Sequence, residues 1–343
     1  MRIVMMGTGT FAEPTFEALL AGGETVVGLV TQPDREVGRR TGASRQVGKG
    51  LATIAAAAGI PVIQPASINA PEGLAALKAF APDLVVVAAY GQILKPDAIA
   101  APALGMINVH ASLLPKYRGA APVAYAILKG EAQTGVTIIR ITPGLDSGDM
   151  LAQDSLDILP AETAGELESR LAPLGAKLAL DVVRQLKLGP VTGAKQNPAL
   201  ATKAPKLTKE MGLIDWTKPA GEIERQVRAM QPWPTAYTFF HRPGKEPMRV
   251  IVCRVEPFPF PGLNPPVTAF GQVVSSSAVH PDLLALGPLA ARAGGSDDKA
   301  SWLQVTELQP AGKKRMTAEE FLRGYPIQDG DRFGPEKLAN GAT

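Results

Sequence analysis

The sequence holds a single cysteine, Cys253, and three histidines among 343 residues. One cysteine excludes an internal disulfide and a cysteine-rich metal site, and it fits a reducing compartment. No stretch approaches the run of about 20 apolar residues that crosses a bilayer. The amino terminus, MRIVMMGTGTF, passes from an apolar strand straight into a glycine turn. It lacks the apolar core and small-residue cleavage site of a signal peptide. A cytoplasmic protein is expected. Net charge is small as well: 35 basic and 32 acidic residues leave +3. The distribution says more than the sum. Arg35, Arg39, Arg40, Arg45 and Lys49 crowd one glycine-containing loop, Lys203, Lys206 and Lys209 a second segment, and Lys313, Lys314 and Arg315 a third. Clusters of this kind are either solvated faces or the footprint of an extended polyanion.

What is present is a regular alternation in the first half. RIVMM, TVVGLVT, IPVIQP, DLVVVAAY, MINVH and GVTIIRIT read as strands. Helical patterns lie between most of them, and AGELESRLAPLGAKLALDVVRQL closes the series as a long helix. Strands alternating with helices predict a doubly wound, mostly parallel sheet covered on both faces. The length favours two domains. We expect the first over residues 1–189, followed by a polar, Pro- and Gly-containing linker at 190–207. After one helix, AGEIERQVRAM, come short strands separated by turn residues, which predict a small β-barrel over 208–330. Residues 277–300, rich in Ala, Gly, Ser and Pro, read as a long mobile surface loop, and 331–343 as a tail. Trp216, Trp233 and Tyr237 are expected to pack the barrel against its helix.

The stretch GTGTFA, Gly7 to Ala12, matches the dinucleotide fingerprint after a strand and before a helix. A nicotinamide-dependent oxidoreductase is therefore one candidate. Glu13 argues against it, because a carboxylate in the first helical turn repels the phosphate that the helix dipole attracts.

A different chemistry gathers around GMINVHASLLPKYRGAAP. On a strand, Asn108 and His110 share one face, while Ile107 and Val109 take the other. Alone, the pair is equally compatible with a structural turn. The segment TPGLDSGDM after the next strand adds Asp146, which the converging strand ends of a parallel sheet would bring close. An amide donor, an imidazole and a carboxylate suit a carbonyl that gains negative charge during reaction. No Ser or Cys occupies a nucleophile motif, so the attacking atom is expected on a substrate.

INVHASLLPKYRGAAP, GVTIIRITPGLDSGDML and KLTKEMGLIDW…IERQVRAMQPWPTAYT…VTELQPAGKKRM together resemble the methionyl-tRNA formyltransferase family, within the wider class that uses 10-formyltetrahydrofolate. The resemblance runs from Arg2 to about Leu322. It implies a doubly wound catalytic domain, a barrel of the oligonucleotide-binding type, and transfer of a formyl group to the methionine amino group of initiator tRNA, with no metal. By motif match Asn108, His110 and Asp146 would be the catalytic trio. Asn108 and a protonated His110 would steady the formyl oxygen, with Asp146 keeping the imidazole charged. Ser112, Leu113, Leu114 and Pro115 would border the folate, and Ala88, Ala89, Tyr90, Gly91, Gln92, Ile93 and Leu94 would wall its pterin pocket. Arg35, Arg39, Arg40, Arg45, Lys49, Lys206, Lys209, Lys313 and Lys314 would meet tRNA phosphates. A monomer is expected. Gly9 stands where the family usually has proline, and this alone creates the dinucleotide match. The basic loop, DREVGRRTG, departs from the family's D-R-P-A-G-R-G-K-K. Three alternatives are open at this point: a sister enzyme that formylates a sugar-nucleotide or glycinamide ribotide amine, the nicotinamide-dependent oxidoreductase, and a tRNA-binding protein without catalysis.

Overall fold

In a computed structural model of the chain, residues 1–33, 48–258, 270–274, 289–294 and 301–337 are described. They form two compact units, Met1–Ala126 with Glu131–Lys206, and Ile127–Gly130 with Leu207–Thr343.

In the first unit the chain order is β1 (Arg2–Gly7), α1 (Glu13–Ala21), β2 (Thr25–Val30), α2 (Leu51–Ala57), β3 (Val62–Ile63), α3 (Pro71–Ala79), β4 (Leu84–Ala88) and α4 (Pro96–Ile99). It continues with β5 (Met106–His110), β6 (Arg118–Gly119), α5 (Pro122–Leu128), β7 (Gln133–Arg140), β8 (Met150–Asp157), α6 (Ala164–Leu188) and β9 (Lys203–Ala204). Ile3 to Met6 and Leu84 to Ala88 are buried throughout, as expected of central strands covered on both faces. The sheet order is β3-β2-β1-β4-β5-β7-β8. The first five strands run parallel, and β7 and β8 antiparallel. The fold is thus the doubly wound, mostly parallel one that the alternation predicts.

Helix α6 is the longest and covers one face of the sheet. Thr163 caps it in a reciprocal capping box with Glu166, which satisfies two otherwise orphaned amide donors. Thr163→Ala should cost about 1 kcal/mol in urea unfolding and leave turnover unchanged; a loss of turnover would mean that the helix end reaches the site.

The segment read as a linker, 190–207, does more than connect. Met150 and Ala194 exchange two backbone hydrogen bonds at 2.8 and 2.9 Å, and β9 pairs in parallel with β6. The apolar-poor composition hides this because the pairing uses backbone groups.

The second unit contains α7 (Ala220–Ala229), β10 (Tyr237–His241), β11 (Met248–Phe258), β12 (Val273–Val274), β13 (Ala290–Ala293), β14 (Ser301–Pro310), β15 (Met316–Thr317), α8 (Ala318–Gly324) and β16 (Arg332–Gly334). Its antiparallel sheet runs β12-β13-β14-β11-β10-β16. An antiparallel bridge between Gln272 and Arg332 brings the two edges together into a nearly closed barrel. Phe240, Phe333, Trp302 and Phe321 fill its core. Trp216 stacks on Phe333 at 5.4 Å and donates to the Thr238 hydroxyl. Trp233, by contrast, is 46 % exposed, which corrects its reading as core.

Two further corrections concern the last third. Residues 290–293 of the expected surface loop are strand β13, whose alanines are small enough to pack between β12 and β14 with Ala290, Ala291 and Ala293 buried. The rest of that loop, 277–288 and 295–300, lies outside the described residues. The expected tail begins with core: Asp331 and Phe333 are buried, and β16 pairs with β10.

Candidate active site

Alternation along β5 sets the geometry. Ile107 and Val109 are buried, and a Cβ on Gly175 of α6 would lie 2.7 Å from a Val109 methyl. Glycine at 175 permits the helix to approach the Val109 face this closely. Asn108 and His110 occupy the opposite face.

His110 is 5 % exposed. Its Nε2 lies 3.0 Å from the Tyr117 carbonyl and its Nδ1 3.7 Å from Asp146 Oδ2. A carbonyl only accepts, so Nε2 carries the hydrogen, and in the neutral ring Nδ1 turns its lone pair towards the carboxylate. Burial is the strongest influence on this imidazole and pushes its pKa below the ordinary 6.5. The Asp146 carboxylate and the Tyr117 carbonyl pull the other way, and the Arg118 guanidinium adds to the lowering. The ring therefore rests neutral at pH 7. This corrects the expectation of a resting imidazolium, because desolvation outweighs a carboxylate that stands beyond hydrogen-bond range. The Asn108 amide is half-buried and makes no hydrogen bond among the described residues.

Asp146 arrives by a route the sequence does not indicate. Strand β7 is antiparallel to β5, so its last residue, Arg140, pairs with Ile107, and Thr137 pairs with His110. Neighbouring strand ends therefore do not converge here. The loop after β7 starts three residues short of His110 and must return along β5 by about 10 Å. Asp146 sits in it with φ +44°, and Tyr117, whose carbonyl holds His110, has φ +63°. Each such backbone costs about 1–3 kcal/mol and persists only where its surroundings fix it. Those surroundings are visible. Gly119 N donates to Asp146 Oδ2 at 2.8 Å, and Gln196 Nε2 donates to the Asp146 and Gly148 carbonyls at 2.7 and 2.9 Å.

The 112–115 loop is held from beneath. Thr137 donates to the Ser112 carbonyl at 2.7 Å and accepts from Leu114 N and Gln153 Nε2. The Ser112 hydroxyl is fully buried and donates to the Lys116 carbonyl at 2.6 Å. The Ser112 and Leu114 side chains are thus sealed inside and shape the loop. Leu113 and Pro115 remain partly exposed. Tyr117 closes the loop by donating its hydroxyl to Glu131 at 2.6 Å, which Lys116 also reaches.

The 88–94 loop divides in the same way. Ala88 and Tyr90 are buried. Gln92 accepts from Ile68 N and donates to the Ala66 carbonyl, and Leu94 packs on the core. Ala89, Gly91 and Ile93 are exposed, Ile93 by 82 %. Ala89 and Gly91 turn with φ +47° and +84°.

The glycine turn at the start of α1 is occupied. Glu13 accepts from Lys49 N at 3.0 Å and from Gly50 N at 2.9 Å, where α2 begins. A pyrophosphate at this helix end would meet that carboxylate. Of the basic residues, Arg35, Arg39, Arg40 and Arg45 lie outside the described residues. Lys49 pairs with Glu17 at 2.7 Å, and Lys206, Lys209, Lys313 and Lys314 are exposed.

Thr137, Gln153, Tyr117 and Gln196 were not anticipated as parts of this site. Thr137 carried a signal, as a polar residue inside an apolar strand. Gln196 carried none, being one polar residue in a polar stretch.

With this geometry in hand, comparison with known proteins is informative. Residues 1–183 match the formyl transferase family model, and residues 206–280 the model for the formyl transferase C-terminal domain. A methionyl-tRNA formyltransferase of Acidobacterium capsulatum is 42 % identical over 97 % of this chain and all of its own length. One of Desulfotalea psychrophila is 41 % identical over 95 % of this chain and 94 % of its own. Among solved structures, an N-formyltransferase from Helicobacter canadensis in complex with folinic acid and dTDP-3-aminofucose shares the fold. It is 18 % identical, with a TM-score of 0.60 over 88 % of this chain and 98 % of that one. No helix among the described residues is long and apolar enough to cross a membrane. At 42 % identity over nearly its full length, this chain belongs to the methionyl-tRNA formyltransferase family.

Proposed function

We propose that the chain moves the formyl group of 10-formyltetrahydrofolate onto the amino group of methionine carried by initiator tRNA, in the cytoplasm. In this reading the first unit is the catalytic domain and the barrel meets the tRNA. The observation that supports the proposal is the approach of Asp146 to His110, which shares a strand face with Asn108, in a chain of this family.

The donor set suits a carbonyl. Asn108 offers an amide that no group among the described residues engages, two residues from a buried imidazole. When bound, the folate supplies an activated formyl carbon on nitrogen. The remaining work falls to the chain. Asn108 donates to the formyl oxygen as negative charge grows there, which is the moment a fixed donor counts most. The neutral His110 accepts the proton released when the methionine nitrogen bonds to the formyl carbon. Asp146 stabilises the imidazolium so formed. The same proton then goes to the folate nitrogen as its bond to the formyl carbon breaks. Ala89, Gly91, Ile93, Leu113 and Pro115 supply the exposed surface against which the folate rests. Lys206, Lys209, Lys313 and Lys314, with the basic loop from Arg35 to Lys49, meet phosphates.

The test supplies the purified protein with formyl-labelled donor and charged initiator tRNA. Label should appear on the methionine nitrogen. Label on an amino-sugar nucleotide or glycinamide ribotide offered in competition, and not on tRNA, would overturn the reading.

The pH dependence follows from the burial of His110. A base must be neutral to act, and this one titrates below 6.5. The His110 step should therefore be open at neutral pH, and turnover should lose it only on acidification below the ordinary imidazole range. A decline beginning as pH rises past 6.5 would mean that the imidazolium is the working form.

A further inference from the structure

We propose that Gln196 is a positioning residue for formyl transfer, holding the Asp146 loop folded back across the sheet and tying it to the loop that orients His110. The proposal rests on the roles given above to His110 and Asp146.

A primary amide has two N–H donors and an oxygen with two lone pairs. Gln196 uses all four. Nε2 donates to the Asp146 carbonyl at 2.7 Å and the Gly148 carbonyl at 2.9 Å. Oε1 accepts from Arg118 Nε at 3.1 Å and Nη2 at 2.7 Å. Arg118 stands between the two residues that define the site: the Tyr117 carbonyl fixes His110 Nε2, and Gly119 N fixes Asp146 Oδ2. One side chain thus joins the carboxylate's loop to the imidazole's support.

The need for such a tie is geometric. The Asp146 loop leaves β7 beside Ile107 and is not carried to His110 by the strand. Asp146 is further held at φ +44°, in the left-handed region that L-residues rarely adopt. Gln196 is itself anchored on both sides. Ala194 bridges to Met150 at the end of the same loop. Thr202 supports the other loop, its hydroxyl accepting from Tyr117 N at 2.8 Å and its carbonyl from Arg118 N at 2.9 Å. The tie has fixed ends, so its length sets the separation of carboxylate and ring.

A double-mutant cycle tests this. Gln196→Met keeps the side chain's length and removes all four hydrogen bonds. Gln196→Glu keeps the acceptors for Arg118 and removes the donors, and it serves if the methionine variant does not fold. With Asp146 present, either change should lower kcat by about 10–100-fold, the scale of a small misplacement near the reacting atoms, with KM for both substrates within about twofold. In the Asp146→Asn background the same change should lower kcat by less than about threefold, because the group it positions is already gone. Equal losses in both backgrounds, or unchanged kcat with Asp146 present, would overturn the proposal for Gln196 alone. Full activity of Asp146→Asn by itself would instead overturn the role of Asp146, and this proposal with it.

Discussion

Replacing Asn108 by alanine should lower kcat for formyl transfer by about 10²–10³, the usual worth of one donor aimed at a developing oxyanion, with little change in thermal midpoint. The two halves of that expectation come from one fact. The Asn108 amide has no partner among the described residues, so removing it breaks no hydrogen bond of the folded chain. Its neighbours Ile107 and Val109 hold β5 through the other face and stay in place. His110→Ala should cost as much in turnover but more in stability. It empties a buried site and leaves the Tyr117 carbonyl without its donor. Measuring kcat and melting together separates the two cases. An Asn108→Ala enzyme that melts early but turns over normally would reassign the amide to structure.

Gly148→Ala is expected to reduce turnover by about 10²-fold or more, on the scale of an ångström of misplacement near reacting atoms. A Cβ at this position would lie 1.8 Å from the Arg140 carbonyl oxygen. That oxygen belongs to the backbone of β7 and cannot step aside, so the loop must move instead. Asp146 is two residues away, and the Gly148 carbonyl itself takes one of the bonds from Gln196. The β7–β8 ladder from Gln133 to Ile139 remains to hold the hairpin, so unfolding in urea should change far less than catalysis. If kcat survives the substitution, the carboxylate does not need its present place.

Much of the fold could be read from the chain because its signals are local. The apolar run of β4, the alternation in β5 and the period of α6 each sit within a single window of sequence. Asn108 and His110 could be placed on one face for the same reason. The meeting with Asp146 was anticipated, but by the wrong route. Nothing in GVTIIRIT distinguishes a strand that pairs in parallel from one that turns back, since direction depends on the connection and not on the side chains. The neutrality of His110 was equally hidden, because it depends on how much water the finished fold removes. Residues 290–293 were missed because three alanines and an arginine in an Ala- and Gly-rich stretch carry no strand periodicity. Gln196 shows the limit most clearly: its meaning is the identity of its three partners, Arg118, Asp146 and Gly148, which lie elsewhere in the chain.

The short pairing of β9 with β6 has a consequence in time. A chain emerges from the ribosome amino end first and can fold as it appears. The seven-stranded sheet of the first unit and helix α6 are complete once residue 188 has been made, yet Gln196, Thr202 and Ala204, which brace the two loops, are still to come. In a nascent first unit the loops that hold His110 and Asp146 therefore lack these braces until translation has passed beyond the sheet.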